Sequence, residues 1–289
     1  KLNHFIGLFL LFFFLGVSNS FAASNDEDSL IFMADKHERL LRTSALRFQD
    51  DELDNILKTM VCDIAPNDCS RVRIYVLNTS GFNAFMMPNG ATFIHSGLLL
   101  RATTSSEVAA VVGHEIAHFT MRHSLNRLVD NRSKITTLGV LNKIGGAVGR
   151  SDLTTIVNIM GAYSLSSYSR DHERQADKIG FEMVKNAGFN PHSFPKIWEN
   201  LIAEDESANK GINLFQSHPM PAERITYLKK LAVNYPENRQ DVIMEQEIPD
   251  LIDKYRLDLL SAEMRSMDAD RFERLLENQR KFTSIADGM

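Results

Sequence analysis

The run His114-Glu115-Ile116-Ala117-His118 constrains the fold more than any other feature, because it calls for a helix with a polar face turned inward. Two imidazoles four positions apart lie on one face of an α-helix and can reach one tetrahedral metal ion. Glu115 stands beside them, where its carboxylate can act on a water at that ion. The alternative is two core histidines bonded to the backbone, with Glu115 in a salt bridge. Burying these polar side chains without a ligand is costly, so a metal site is favoured.

The residues around this motif predict the helix that it needs. Thr104-Ser105-Ser106-Glu107 has the pattern of a capping box, which opens a helix. Apolar residues follow at helical spacing, and neither Gly nor Pro occurs from His114 through Asp130. We therefore expect the motif in the middle of a buried helix.

The remaining pattern predicts an α+β fold that is mostly helical, with a small sheet beside the motif helix. Apolar residues recur at helical spacing over residues 26–60 and again after Pro221, where the chain is strongly charged. Residues 72–77 are rich in β-branched side chains and alternate in polarity, which indicates a strand. The predicted order along the chain is one or two helices, a small sheet, the motif helix and a helical C-terminal region.

A hairpin is predicted immediately before the motif helix. Phe82–Met87 and Ala91–His95 read as its strands and Pro88-Asn89-Gly90 as the turn between them, where Asn-Gly supplies the positive backbone angles of a tight turn. If the chain cleaves peptides, the first strand can pair with an extended substrate at the sheet edge. An ordinary edge packed against the helix is an equally good interpretation.

The segment 1–22 predicts a cleavable secretory signal that is not part of the fold. Lys1 precedes an apolar run from Phe5 to Val17, and the small residues Ser20 and Ala22 suit cleavage before the next residue. The apolar run is short for a membrane span. We therefore expect an exported protein.

Composition and cysteines narrow the class further. With 44% hydrophobic residues the chain can build a globular core, and its net charge of -5 comes without a basic stripe for nucleic acid. Cys62 and Cys69 are the two cysteines, and in an exported protein they predict an intramolecular disulfide. A cysteine pair that binds zinc is the alternative.

Two apolar stretches, 135–148 and 153–165, contain few charges. Each is interrupted too often by polar residues to span a membrane. We hypothesise that they form a mobile pair of helices that overhangs the site and touches a membrane or an unfolded substrate.

A third metal ligand has to come from further along the chain, because a catalytic zinc takes three protein ligands. Glu173 and Asp177 lie four positions apart on a predicted helix. One carboxylate can bind the metal while the other orients a ligand imidazole. On spacing alone, a solvated and charged start of a helix is equally possible.

Four parts of the sequence belong together: the His114–His118 motif, Ser169–Asp177, Ser217-His218-Pro219 with Arg224, and the segment from Asn83-Ala84-Phe85 to Gly97-Leu98-Leu99. Taken together, these motifs resemble the CAAX-prenyl-protease/HtpX family of zinc metallopeptidases. The resemblance covers roughly residues 35–230, and its parts occur in the order of the family. Being exported without clear membrane spans, the chain is most similar to the family's periplasmic branch, the β-barrel assembly-enhancing proteases.

The resemblance implies a zincin-like domain over residues 23–230 and a C-terminal helical extension over 231–289, which would start a tetratricopeptide-like array. It implies one Zn²⁺ per chain, with Glu115 as general base and acid and with Asp177 holding a ligand histidine. His218 would either close the metal as a fourth, inhibitory ligand or steady the oxyanion. Arg224 would either stabilise the tetrahedral intermediate or brace the His218 loop. The implied metal ligands are His114, His118 and Glu173, and the implied substrate-binding residues are Asn83, Ala84 and Phe85.

The implied function is hydrolysis of misfolded or stalled envelope and outer-membrane proteins in the periplasm. The outer-membrane barrel assembly machinery is a further implied partner, together with peripheral contact with the membrane. The alternative is a chaperone-like protein that binds unfolded outer-membrane proteins and has a self-inhibited metal site. Trp198 is expected in the core. Five further histidines have no partner at ligand spacing and are expected to be structural: His37, His95, His123, His172 and His192.

Overall fold

The computed structural model describes residues 27–132, 153–164, 168–205, 218, 222–236 and 245–286. Within these ranges the chain is mostly helical and contains one three-stranded sheet, so the predicted fold class is confirmed. The predicted signal segment 1–22 and the first apolar stretch, 135–148, lie outside the described residues.

The strands are β1 (Arg73–Leu77), β2 (Ala84–Met86) and β3 (Ala91–His95). In chain order the described helices are α1 (27–42), α2 (Asp51–Ile64), α3 (Ser96–Arg101), α4 (Ser105–Thr120), α5 (His123–Arg132), α6 (Leu153–Ser164), α7 (Arg170–Asn186), α8 (Ser193–Asp205), α9 (Ala222–Ala232), α10 (Glu247–Asp253), α11 (Arg256–Ser266) and α12 (Ala269–Ala286).

The helical pattern over residues 26–60 forms two helices, α1 and α2. Asp50 caps the second one, because its carboxylate accepts the Leu53 N–H at 2.8 Å. The apolar side chains of α2 recur at helical spacing and are buried, among them Leu57, Val61 and Ile64. Cys62 of α2 is joined by a disulfide to Cys69 in the loop that follows, with Cα atoms 4.5 Å apart.

The sheet has the order β1-β3-β2, with β3 parallel to β1 and antiparallel to β2. The predicted hairpin is therefore present, but its turn differs from the expectation. Only Gly90 has a positive φ, of 88°, and its N–H donates to the Met87 carbonyl at 3.0 Å. The loop has the predicted three residues, Pro88-Asn89-Gly90, but Asn89 does not take the positive φ that a tight Asn-Gly turn would give it. A Cβ at Gly90 would collide with the Arg71 carbonyl oxygen, so close packing also requires glycine here.

The sheet lies between two layers of helices. Alternate strand residues, among them Val76 and Ile94, pack into the main core with α2 and α4. Their neighbours, such as Phe93, pack on the other face against α1 and α6, where Ile156 and Ile159 are buried. The hypothesis that stretch 153–165 overhangs the site is therefore wrong at Ile156 and Ile159, because both side chains are buried against the sheet. No helix within the described residues has the length and apolar character needed to cross a membrane.

Helices α4 and α7 cross at two glycines. A Cβ on Gly180 would lie 2.9 Å from the Gly113 carbonyl and 3.0 Å from the His114 nitrogen, and a Cβ on Gly113 would collide with the Val184 side chain. The two backbones are therefore in direct contact. This contact sets the separation of the faces that carry the predicted ligands.

The C-terminal helices pack onto the same core through a buried charge network. The Arg101 guanidinium of α3 bonds Glu204 of α8 at 2.7 Å and Glu263 of α11 at 2.9 Å, with all three side chains at most 3% exposed. Glu263 also accepts the Gly81 N–H at 2.6 Å, just before β2. The described part of segment 231–289 is thus bound to the sheet region.

We expect Gly180→Ala to destabilise the protein, because the new methyl group meets backbone atoms that cannot move aside, at a cost of about 1–3 kcal/mol. The higher helix propensity of alanine returns about 1 kcal/mol, so the expected net loss is up to about 2 kcal/mol. Urea unfolding measures the difference. Lys178→Ala, on an exposed position of the same helix, is the control and should remain close to wild type. A Gly180→Ala protein as stable as this control would contradict the described crossing.

Candidate metal centre

The motif helix α4 begins where the capping pattern predicts. The Thr104 hydroxyl accepts the Glu107 N–H at 3.2 Å, and the Glu107 carboxylate accepts the Thr103 N–H at 2.7 Å. The helix is buried from Ser105 to His118. It therefore presents His114 and His118 to the protein interior and not to solvent.

Helix α7 supplies the two carboxylates. Ser169 caps it by accepting the His172 N–H at 3.2 Å. Glu173 and Asp177 are at most 1% exposed, so the alternative of a solvated, charged helix start is wrong for them. That alternative is correct for the opposite face of α7, where Arg174 is 55% exposed and pairs with Asp171.

Four buried side chains converge at one point, and each offers one donor atom: His114, His118, Glu173 and His218. His118 Nε2 lies 3.1 Å from His114 Nε2 and 3.5 Å from Glu173 Oε1. His218 Nδ1 lies 3.2 Å from His114 Nε2 and 3.1 Å from Glu173 Oε1. Two ligands of a tetrahedral zinc at ordinary bond lengths are separated by roughly 3.3 Å. The donor set therefore fits one tetrahedral metal ion.

The far nitrogen of His114 contacts Asp177, whose Oδ1 lies 3.1 Å from His114 Nδ1. Sequence reasoning gives Arg224 a role at the reacting carbonyl or in the His218 loop. The structure places its buried guanidinium on the carboxylates, at 2.7 Å from Asp177 and 2.6 Å from Glu173, and the earlier role stays a prediction. It could not be assigned from sequence, because nothing in the spacing relates residue 224 to α7.

The His218 side chain lies between the other donor atoms and Glu115, the glutamate of the motif. While its Nδ1 faces Glu173, its Nε2 lies 3.1 Å from Glu115 Oε1. In this arrangement the fourth tetrahedral position is taken by a protein side chain. Glu115 is engaged by the same side chain.

The electrostatics of the cluster favour bound positive charge. Burial by itself lowers the pKa of His218, but the carboxylates of Glu115 and Glu173 outweigh it and raise the pKa to about 10. Burial by itself raises the pKa of Glu173, yet charge at His218 and hydrogen bonds from the histidines lower it well below its ordinary value. The carboxylates therefore favour positive charge between the four donor atoms.

Two residues beside His118 were missed from sequence. His123 was expected to be structural, but its Nδ1 lies 3.0 Å from His118 Nδ1. The Tyr168 ring stacks on the His118 ring at a centroid distance of 3.8 Å. Helical spacing could not reveal His123, because α4 ends at Thr120 and the chain turns at Arg122, which has a φ of 57°.

Most of the other histidines fit the structural interpretation. His37 bonds the Tyr163 hydroxyl at 3.0 Å, and His192 bonds the Tyr235 carbonyl at 2.8 Å. Burial lowers the pKa of His95 to about 4. His172 stacks on His123 at 4.2 Å. Trp198 is buried, as predicted.

The segment Asn83-Ala84-Phe85 leads into and forms the edge strand β2. The Asn83 carbonyl and the Met87 N–H face β3. By the alternation of an antiparallel pair, the backbone groups of Ala84 and Met86 face away from the sheet. The Ser124 hydroxyl lies 3.4 Å from the Met86 carbonyl and 2.7 Å from the Tyr168 hydroxyl, which connects this edge to the ring stacked on His118.

We expect Arg224→Ala to cost about 3–5 kcal/mol of stability, because it leaves two buried carboxylates without their cation. Urea unfolding of the metal-free protein measures this. Arg174→Ala, which removes an exposed arginine from α7, is the matched control and should stay near wild type. If both variants unfold at the same urea concentration, the buried pairs do not stabilise the centre.

Comparisons with known proteins agree with this geometry. A sequence profile of peptidase family M48 matches residues 48–232. The chain is 28% identical over 226 residues to the beta-barrel assembly-enhancing protease of Yersinia pestis, covering 73% of this chain and 45% of that protein. It is 25% identical over 202 residues to the protein of the same name from Escherichia coli strain K12, covering 67% and 42%.

A mitochondrial relative matches as well. The chain is 28% identical over 189 residues to the mitochondrial metalloendopeptidase OMA1 of Saccharomyces cerevisiae, covering 63% of this chain and 51% of that protein. The chain spans less than half the length of the two bacterial relatives. The family resemblance inferred from the motifs is confirmed. Since the match includes the motif helix, the carboxylates of α7 and His218, the chain belongs to peptidase family M48.

Proposed function

We propose that this chain is a zinc metalloendopeptidase that hydrolyses misfolded or stalled envelope and outer-membrane proteins. The observation that carries the proposal is the convergence of four buried donor atoms within 4.8 Å of one another, with Glu115 beside them. Membership of a peptidase family supports hydrolysis of peptide bonds as the reaction.

The donor set supports zinc as the metal. Imidazole nitrogens and a carboxylate oxygen in a tetrahedral arrangement are typical zinc ligands, and His114, His118 and Glu173 would form the permanent set. The chemistry supplied by bound Zn²⁺ is polarisation of the scissile carbonyl and acidification of the attacking water.

Glu115 is the group that moves the proton. Its carboxylate accepts a proton from the attacking water and delivers it to the nitrogen of the leaving amine. In the described conformation Glu115 Oε1 contacts His218 Nε2 at 3.1 Å. His218 must therefore swing away before Glu115 can reach a water and a peptide.

Asp177 and Arg224 act as positioning residues. Asp177 holds the proton on His114 Nδ1, so that His114 Nε2 keeps a free lone pair for the metal. Arg224 fixes the carboxylates of Asp177 and Glu173 through short bonds to each. Its charge also offsets the cost of burying them.

The edge strand β2 is the proposed substrate-binding element, with Asn83, Ala84 and Phe85 as its contact residues. Ala84 and Phe85 are at most 5% exposed in the described conformation, so the backbone groups of Ala84 that face away from β3 can pair with an extended peptide only after this edge is uncovered. An unfolded chain offers such a segment more readily than a folded protein does. This agrees with misfolded or stalled proteins as the substrate class.

The names of the bacterial relatives support the proposed setting. Both are called beta-barrel assembly-enhancing proteases, and we extend that role to this chain: export to the periplasm, outer-membrane proteins as substrates, and the barrel assembly machinery as a partner. The signal segment predicted over residues 1–22 agrees with export.

His218 supports a second candidate, a chaperone-like protein with a self-inhibited metal site. His218 fills the fourth position and engages Glu115 at the same time. In that state the chain could bind unfolded outer-membrane proteins without cutting them. The two functions are compatible, since displacement of His218 would convert the second into the first.

We expect Glu115→Gln to keep its zinc but to lose roughly 10²–10⁴-fold in turnover, because glutamine cannot carry the proton. Casein hydrolysis and elemental analysis measure the two quantities. Glu107→Gln, a buried change on the same helix away from the donor cluster, should retain activity. Undiminished hydrolysis by Glu115→Gln would overturn its role. Chelation of the metal should abolish wild-type hydrolysis.

We expect His218→Ala to hydrolyse casein faster than wild type and to retain zinc, because three ligands remain and the fourth position is freed. The same two assays test this. Loss of zinc from the variant would make His218 a structural ligand. Binding of unfolded outer-membrane protein without cleavage, even by this variant, would favour the chaperone-like function over the peptidase.

A further inference from the structure

His118 makes its second hydrogen bond to another histidine. Its Nε2 faces the donor cluster, while its Nδ1 lies 3.0 Å from Nδ1 of His123. The opposite ring nitrogen of His123, Nε2, lies 3.0 Å from Gln175 Oε1 on α7. The three side chains therefore form a continuous chain of hydrogen bonds that leads away from the metal position.

A break in the backbone makes this contact possible. In an unbroken helix, side chains five positions apart point roughly 140° away from each other. Here α4 ends at Thr120, Arg122 takes a left-handed φ of 57°, and α5 begins at His123. The new helix direction returns the His123 ring to His118.

The proton positions in this chain follow from the chemistry of a neutral imidazole. To ligate through Nε2, His118 must carry its proton on Nδ1. His123 Nδ1 then has to be the acceptor, which leaves the proton of His123 on Nε2. That N–H donates to the Gln175 carbonyl oxygen. Each ring nitrogen of His118 and His123 is thus assigned as either a donor or an acceptor.

We propose that His123 is a positioning residue of the metal centre, which holds His118 in the tautomer that binds the metal through Nε2. It plays for His118 the part that Asp177 plays for His114, with a neutral acceptor in place of a carboxylate. His123 is not itself a metal ligand, because it faces the nitrogen of His118 that points away from the cluster. The inference rests on the zinc centre proposed above.

Helix α5 also restrains the plane of the His118 ring. Tyr168 stacks on that ring, and its hydroxyl is bonded to Ser124 at 2.7 Å. The Arg127 guanidinium lies over the Tyr168 ring, 4.1 Å from its centroid. His123, Ser124 and Arg127 all belong to α5, so this short helix fixes both the rotation and the tautomer of one ligand.

The test compares Zn²⁺ affinity, measured by competition with a chromophoric chelator, across three variants. His123→Leu removes the acceptor and should weaken binding by roughly tenfold to a hundredfold. His123→Gln offers a carbonyl oxygen as acceptor and should recover most of the loss. His192→Leu removes a histidine that bonds the Tyr235 carbonyl, and it should bind as wild type does. Wild-type affinity in His123→Leu would overturn the proposal.

A second measurement needs no substitution. Long-range ¹H–¹⁵N correlation spectra of histidine-labelled wild type report which ring nitrogen of His118 carries the proton. The proposal expects Nδ1–H in both the metal-free and the Zn²⁺-loaded protein. A proton on Nε2 in the metal-free protein would show that His123 does not set the tautomer, even if His123→Leu fails to fold.

The two proposals fail in different ways. If wild type itself does not bind Zn²⁺, the centre is wrong and the role of His123 falls with it. If wild type binds Zn²⁺ and hydrolyses casein while His123→Leu binds equally well, only the role of His123 is wrong.

Discussion

The direct backbone contact of α4 with α7 is the interaction on which the metal centre depends. Gly113 and Gly180 carry no side chains at the crossing, so the helices approach until their backbones touch. At that separation, the histidines of α4 and the carboxylate of α7 bring donor atoms to 3.4–3.5 Å from each other. A larger side chain at either glycine would push α4 and α7 apart and would increase the distance between their ligand residues.

This packing buries charges that are stable only as a group. Glu115, Glu173 and Asp177 carry negative charge and are nearly inaccessible to water; Arg224 pairs with two of them, and the carboxylates of Glu115 and Glu173 raise the pKa of His218. A divalent cation in the cluster would offset the same charge, so metal binding and folding are thermodynamically linked.

Helices outside the α4–α7 crossing contact the donor residues and the sheet through hydrogen bonds and ion pairs. Helix α5 turns back toward His118 through the left-handed residue Arg122. On the far side of the sheet region, Glu263 of α11 reaches both Arg101 and the backbone before β2. The proposed substrate strand is therefore connected at one end to the C-terminal helices and, through Ser124 and Tyr168, to a metal ligand.

The sequence by itself determined the local parts of this protein: the capped motif helix, the carboxylate pair four positions apart, the hairpin and the mostly helical class. Each depends on backbone geometry within a few residues, which residue type and spacing report directly. The tertiary structure alone decided that Arg224 serves the carboxylates, that His123 reaches His118, and that His218 covers Glu115. These contacts depend on how separate helices pack and on where the chain turns between them. Residue spacing within one helix or strand does not contain this information.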